Sequence, residues 1–159
     1  MNHTQNPKLR LQPITLHPIG YVERDGRDEE LSGDELRARP ARIVFDPALT
    51  DGLLGLEPGS DVVVLFYCHR STGYDLQVHP RGDPGRPLRG VFAVRSPRRP
   101  NPIGVTTVRV QRVEGHVLEV VGLDALDGSP VLDVKGYSSF YDAPYSRRAC
   151  FIRRDDPQS

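Results

Sequence analysis

The chain has very little cysteine, two residues among 159, and a single methionine. Cys68 and Cys150 cannot build a disulfide framework or a four-cysteine zinc site, and they suit a reducing, cytoplasmic compartment. No run approaches eighteen consecutive apolar residues, which excludes a membrane-spanning helix. The opening MNHTQNPKLR lacks an apolar core, so no secretory leader is expected. Net charge is also lacking, with Lys+Arg 21 against Asp+Glu 21. That balance is unlike proteins that coat nucleic acid by bulk electrostatics. Whole motifs are missing too: no Gly-x-Gly-x-x-Gly follows a strand, and there is no P-loop, His-Glu-x-x-His or Cys-x-x-Cys. Gly-x-Ser-x-Gly is absent as well. A Rossmann nucleotide enzyme, a P-loop NTPase, a zinc protease and an α/β-hydrolase are thereby set aside. Neither His69 nor His79 has partners at ligand spacing, so no metal is expected.

Glycine and proline, by contrast, are abundant at 15 each. So much punctuation disfavours a helical bundle and favours short strands joined by tight turns. The pattern predicts strands at Leu16–Val22 (edge or bulged, given Pro18 and Gly20), Ala41–Phe45, Asp61–Tyr67, Gly90–Val94, Gly104–His116, Val117–Val121 and Val131–Val134. Asp61–Tyr67, DVVVLFY, is a continuous β-branched and aromatic run and is read as buried on both faces. In the Gly104–His116 run, Thr106, Val108, Val110 and Arg112 share one face, and Glu114-Gly115 turns the chain into a hairpin. Asp46-Pro47 marks a helix start, with about two and a half turns ending near Gly55. Arg24–Pro40 reads as an acidic mobile loop with a turn of helix at Ser32–Arg37, and Ser138–Cys150 as coil. The expected fold is mainly β: a single small β-barrel with one short helix and long crossing loops. Its expected bounds are 14–145, with tails at 1–13 and 146–159.

Zero net charge hides an uneven distribution. Gly20–Asp61 holds eleven acids and five bases, whereas Arg81–Arg99 holds six arginines and one aspartate. Arg147, Arg148, Arg153 and Arg154 add bases near the end. Nineteen of the bases are arginine and two are lysine. Arginine presents a planar fork that suits phosphates and carboxylates, although a GC-rich genome also favours its codons.

Three stretches stand out. Arg95-Ser96-Pro97-Arg98-Arg99-Pro100-Asn101-Pro102-Ile103-Gly104 carries three prolines that stiffen a connection between strands. It is either a crossover with solvated arginines or a pre-organised set of donors. In Leu123–Tyr137, Asp127-Gly128 marks a turn, and Asp133 and Lys135 share one face of a strand. Those two residues are either an exposed ion pair or groups at a pocket mouth. Cys68-His69-Arg70-Ser71-Thr72-Gly73-Tyr74 follows the apolar strand, where binding groups and hydrogen-bonded structural histidines both occur.

Together these stretches resemble one family. Gly90-Val91-Phe92-Ala93-x-Arg95-Ser96-x-x-Arg99-Pro100-Asn101-Pro102-Ile103-Gly104 is similar to the signature of the TsaA-like family, also called TrmO. Leu123-Asp124-x-x-Asp127-Gly128-Ser129-Pro130-Val131-Leu132-Asp133-Val134-Lys135 resembles its second block. Ile19–Val22 and the Gly55–His69 stretch resemble weaker blocks, so the likeness spans roughly residues 16 to 137. The resemblance implies a β-barrel that binds S-adenosylmethionine, forms a homodimer with the cofactor near the subunit interface, and methylates N6 of threonylcarbamoyl-adenosine beside the tRNA anticodon. Carried over, it implies a cofactor site from His69, Arg70, Arg95, Ser96, Arg99, Pro100, Leu126 and Ser129. Asn101, Asp127, Asp133 and Lys135 would act on the acceptor, and tRNA would lie along the Arg81–Arg99 region.

Two departures qualify the transfer. Many bacterial members carry a further C-terminal domain that helps hold tRNA, and about twenty residues follow Tyr137 here, so a short form is expected. The family's Lys-Pro-Tyr is Lys135-Gly136-Tyr137. A methyltransferase for a small molecule or peptide, or a non-catalytic cofactor-binding module, stand as alternatives.

Overall fold

A computed structural model describes residues 11–26, 28 and 30–144. In chain order its elements are β1 (Gly20–Glu23), α1 (Gly33–Ala38), β2 (Ala41–Phe45), a 3-10 helix (Pro47–Leu53), β3 (Asp61–Tyr67), β4 (Gln77–Val78), β5 (Arg89–Gly90), β6 (Ile103–Glu114), β7 (Val117–Val121), β8 (Pro130–Gly136) and α2 (Ser139–Asp142). Six strands close into a barrel in the order β1-β2-β7-β6-β3-β8, and β4 pairs separately with β5. Every neighbouring pair is antiparallel. The barrel predicted from turn density and alternation is therefore the fold.

Register sets the interior. Val62 faces Val108, and Val64 faces Thr106 on one side and Val134 on the other. Ile43 faces Val22 and Leu118. Val22, Ile43, Val62, Val64, Val108, Val110, Leu118, Val120 and Val131 consequently fill the lumen almost free of solvent. Each such aliphatic side chain contributes about 1.5–3 kcal/mol by leaving water. Glycine permits the closure at one tight point: a Cβ on Gly20 would strike the Val44 carbonyl of the paired strand.

Several expectations are corrected. β3 is not buried on both faces: Val62, Val64 and Phe66 point inward, while Asp61, Val63 and Leu65 are half-buried outside. A barrel of this size has one dry face and leaves the other to loops and water. In β6, Thr106, Val108 and Val110 do face in, but the register shifts between Val110 and Arg112. The bulge turns Arg112 outward and brings Val113 against the core. The helix after Asp46 is 3-10 rather than α; Asp46 caps it by accepting from Ala48 N–H at 2.9 Å. Thr50 Oγ1 donates to Pro47 O at 2.6 Å, and Gly52 further weakens any α-helical preference there.

Gly90–Val94 is not one strand. Only Arg89–Gly90 pairs, and Val91–Ala93 closes a 3-10 turn because Val91 N–H is drawn to Leu76 O. Ser139–Asp142 forms a helical turn where coil was expected. The described residues of the 24–40 segment are anchored rather than loose. The expected helical turn is α1, where Ser32 and Glu35 form a capping box; Leu36 is buried, and Gly122 N–H donates to Arg37 O. Residues 1–10 and 145–159 lie outside the described residues. So do Cys150, the four late arginines, the expected 146–159 tail and most of the 1–13 tail.

Candidate functional site

Three loops meet at one end of the barrel: 68–72 leaving β3, 95–102 entering β6, and 122–129 joining β7 to β8. Their mutual bonds explain why they stay together. Cys68 N–H donates to Pro102 O at 2.8 Å. Ser71 Oγ donates to Pro97 O at 2.9 Å. His69 Nδ1 and Ser129 Oγ are 3.3 Å apart. The prolines of 95–102 fix backbone direction, and Arg99 tightens the loop by donating to Val94 O at 3.0 Å. Gly104 is required because a Cβ there would overlap the Phe66 ring.

Between the loops lies a pocket of about 380 Å³, within the usual size range for small-molecule sites. Phe66, Pro97, Ala125 and Leu126 give it apolar walls. Cys68, His69, Arg70, Ser71, Thr72, Arg98, Asp124 and Ser129 supply polar atoms. Asp124 is the one carboxylate among these lining residues. Its Oδ1 accepts from Thr106 Oγ1 at 2.5 Å, so the barrel interior holds it in place. Burial pushes the Cys68 thiol above its ordinary value, Asp124 adds to the rise, and Arg99 opposes it.

The 122–129 loop is braced from behind by a residue the sequence placed in a loose acidic loop. Arg24 is buried, and its guanidinium donates to Leu123 O (2.6 Å), Ala125 O (2.8 Å) and Leu36 O (3.2 Å). Asp28 lies 3.6 Å from Arg24 Nε and accepts from Asp127 N–H at 2.9 Å. Burial lowers the Arg24 pKa, with Asp28 as the main opposing influence.

A second cavity of about 550 Å³ lies on the far side of Pro97 and Arg98, which line both. Arg81, Arg86, Arg95 and His79 join them around it.

The site residues expected from the sequence are thus distributed. His69, Arg70, Leu126 and Ser129 line the first pocket. Arg95 and Ser96 line the second cavity, and Arg95 donates to Val105 O at 3.1 Å. Arg99, Pro100 and Asn101 line neither; Arg99 holds its own loop and Asn101 is exposed. Asp127 accepts from Arg24 N–H at 2.8 Å. Asp133 and Lys135 form an ion pair at 2.6 Å on the outer barrel face, which raises the lysine's pKa. Phe66, Cys68, Ser71, Thr72, Pro97, Arg98, Asp124 and Ala125 also line the pocket, and none of them was assigned a role from the sequence. Asp124 lay inside a quoted motif, but spacing cannot tell which aspartate of a loop faces the cavity. Among the described residues no group of three His, Cys, Asp or Glu could hold a metal ion, and no helix is long and apolar enough to cross a membrane.

Residues 31–143 match the model of the tRNA-methyltransferase O N-terminal domain. The chain is 40% identical over 132 residues to an S-adenosyl-L-methionine-binding protein of Archaeoglobus fulgidus, covering 81% of this chain and 93% of that protein. It is 44% identical over 147 residues to the mouse tRNA (adenine(37)-N6)-methyltransferase, covering 87% of this chain and 34% of the mouse protein. The crystal structure of TrmO from Pseudomonas aeruginosa superposes with a TM-score of 0.64 at 31% identity, covering 86% of this chain and 61% of that one. The chain therefore spans nearly all of the archaeal relative but about three fifths of the solved TrmO chain and a third of the mouse enzyme.

Proposed function

Because this chain belongs to the family of the tRNA-methyltransferase O N-terminal domain, we propose that it is an S-adenosylmethionine-dependent methyltransferase. Its acceptor is N6 of the threonylcarbamoyl-modified adenosine at position 37 of tRNA. The observation that carries the reading is the convergence of three loops on one pocket lined by apolar walls, hydroxyls, two arginines and a single carboxylate. That donor set fits the cofactor. Phe66, Pro97, Ala125 and Leu126 suit a flat adenine, while His69, Arg70, Ser71, Thr72 and Ser129 suit hydroxyls and a carboxylate. When bound, the cofactor supplies an electrophilic methyl group on a sulfonium centre.

The residues of the chain do the rest. The walls exclude water and orient both partners, and in an in-line transfer positioning supplies much of the rate. Asp124 lines the pocket where it would accept a hydrogen bond from the N6–H of the acceptor and take that proton as N6 gains the methyl group. Thr106 occupies Oδ1, so Oδ2 carries that role. Cys68 is held as the neutral thiol by burial, and a neutral thiol competes poorly for the methyl group.

We place tRNA along the Arg81–Arg99 region and assign a cytoplasmic, homodimeric enzyme. Exposed Tyr67 and Val105 on the outer face of β3 and β6 supply apolar surface for a partner subunit, with Leu65 lying between Val105 and Asp133 across the sheet. The primary test is calorimetric titration with S-adenosylmethionine and S-adenosylhomocysteine, followed by transfer of labelled methyl to modified tRNA. Micromolar binding and labelled tRNA are expected; a folded protein that binds neither compound overturns the reading. The archaeal relative of matching length is named for cofactor binding alone, so binding without transfer to tRNA would favour a cofactor-binding module.

A further inference from the structure

We propose that the arginine-lined cavity beside the cofactor pocket docks backbone phosphates of the acceptor RNA. This rests on the reading of the chain as a tRNA methyltransferase and specifies where the RNA strand is held. Four guanidiniums, from Arg81, Arg86, Arg95 and Arg98, line the cavity with His79, and no acidic residue is among its lining. In a chain of zero net charge, that concentration is local. At about 550 Å³ the cavity is larger than the cofactor pocket and has room for more than one phosphate.

Three of the arginines have acidic neighbours outside the lining. Arg98 is 3.2 Å from Asp75, Arg86 is 3.4 Å from Asp83, and Arg81 is 4.0 Å from Asp34. All of these side chains are half or more exposed. Such pairs contribute little and exchange readily for a phosphate, whose oxygens match the guanidinium fork. The fourth arginine, Arg95, is fixed by the Val105 carbonyl instead.

The backbone supplies an independent observation. Arg81 has φ 58°, and among the described residues it is the one non-glycine with positive φ. It follows Pro80 in the turn closed by Gly82 N–H to His79 O and Asp83 N–H to Pro80 O, where glycine is the usual choice. Arg86 O lies 2.7 Å from His79 Nδ1, which pins the two ends of the segment together. A long basic side chain kept in a conformation that suits glycine is strain of the kind retained at functional sites.

Position completes the argument. Pro97 and Arg98 line both cavities, so a phosphate held here lies one loop-width from the methyl donor. Phosphate contacts set register without reading bases; this cavity would fix which nucleotide reaches Asp124.

The test is fluorescence anisotropy of the full chain with an anticodon stem-loop RNA across a potassium chloride series. Wild type, Arg81→Gly and Arg81→Gly/Arg86→Ala are compared, with S-adenosylhomocysteine affinity and melting temperature measured alongside. Every phosphate no longer neutralised should flatten the log affinity–log salt slope by about 0.7–0.9. The double variant should bind RNA roughly tenfold more weakly or worse at low salt, with cofactor affinity unchanged. Arg81→Gly should keep or raise the melting temperature, since glycine accepts the backbone angle, and still weaken RNA binding. If the double variant loses its fold, Arg81→Gly decides alone. Unchanged affinity and slope in a folded variant, beside steeply salt-dependent wild-type binding, would overturn the proposal and leave the methyltransferase reading standing. Wild type that binds the cofactor but no RNA at any salt would overturn the tRNA reading, and the phosphate site with it.

Discussion

Replacing Arg24 by methionine tests how the pocket is held. The change keeps the aliphatic volume and removes a guanidinium that donates to the carbonyls of Leu123, Ala125 and Leu36. Each buried carbonyl left unpaired costs about 1–3 kcal/mol. Breaking a buried ion pair by removing one partner costs about 3–5 kcal/mol. The two estimates count the same guanidinium and are not summed; three carbonyls at somewhat more than about 1 kcal/mol each put the expected loss at about 3–5 kcal/mol on the carbonyl count alone. Against a total stability of about 5–15 kcal/mol this is large. With a urea slope of about 2 kcal/mol per molar, the midpoint falls by about 2 M. Geometry also says which contribution dominates. The Asp28 contact is 3.6 Å, longer than any of the three carbonyl contacts, and Asp28 keeps the Asp127 N–H in the variant. Adding Asp28→Leu to Arg24→Met should therefore recover no more than about 1 kcal/mol, the scale of an ordinary hydrogen bond. Because Leu123–Ser129 forms one wall of the pocket, cofactor affinity should fall with stability. A midpoint shift below about 0.5 M, or full recovery in the double variant, would refute the carbonyl brace.

Asp124→Asn keeps the shape and the Thr106 contact; cofactor affinity should hold within a few-fold while methyl transfer to tRNA drops about 10²-fold or more, read as kcat at saturating substrates. Gly104→Ala drives a methyl into the buried Phe66 ring, so unfolding should show a loss of about 1–3 kcal/mol, partly recovered by Phe66→Leu. Asp61 titrates below its ordinary value because Arg109 donates to both its oxygens, and Glu35 does so through the Ser32 backbone and hydroxyl. Folded-state values below the unfolded ones stabilise the protein above the ordinary carboxylate range, and that share is lost as pH falls through the folded values; Asp61→Asn should flatten the acid limb of a melting-temperature profile. Cys68 should alkylate with iodoacetamide more slowly than a free thiol at pH 8, and more slowly still with S-adenosylhomocysteine present, scored on its own peptide.

What the sequence revealed and what it concealed follow from the range of the interactions. Period-two alternation in β6 and the apolar run in β3 are local signals, so the barrel was legible. The bulge after Val110 was not, because it depends on how β6 matches Leu118 and Glu119 across the hairpin. Arg89–Val94 has strand-like composition, but a separate two-residue pairing with β4 and the Leu76 carbonyl take its hydrogen bonds. Arg24 illustrates the same limit more sharply. Its acidic neighbourhood reads as solvated, yet Glu23 and Asp25 are both satisfied by Arg42 across the strand pair. That leaves Arg24 to turn inward toward carbonyls about a hundred positions away in the chain.

The candidate site shows where motif reading stops. Asp124 and Asp127 lie three residues apart in one loop, and both belong to the stretch that carried the family resemblance. Asp127 accepts the Arg24 backbone N–H while its own N–H goes to Asp28, so this residue fastens the loop to the end of β1. Asp124 instead meets the Thr106 hydroxyl inside β6 and lines the pocket. The division of labour follows from partners supplied by β1 and β6. A clamp on one side of the loop makes the other carboxylate hold still, and pre-organisation of that acceptor is what an electrostatic role in methyl transfer requires. The charge-removing change at Asp124 should therefore act on turnover. The same change at Asp127 should act first on loop stability, appearing as a lower urea midpoint and weaker cofactor binding together. Equal loss of turnover from both, at unchanged stability, would show that the loop carries two chemical groups and that the clamp reading of Asp127 is mistaken.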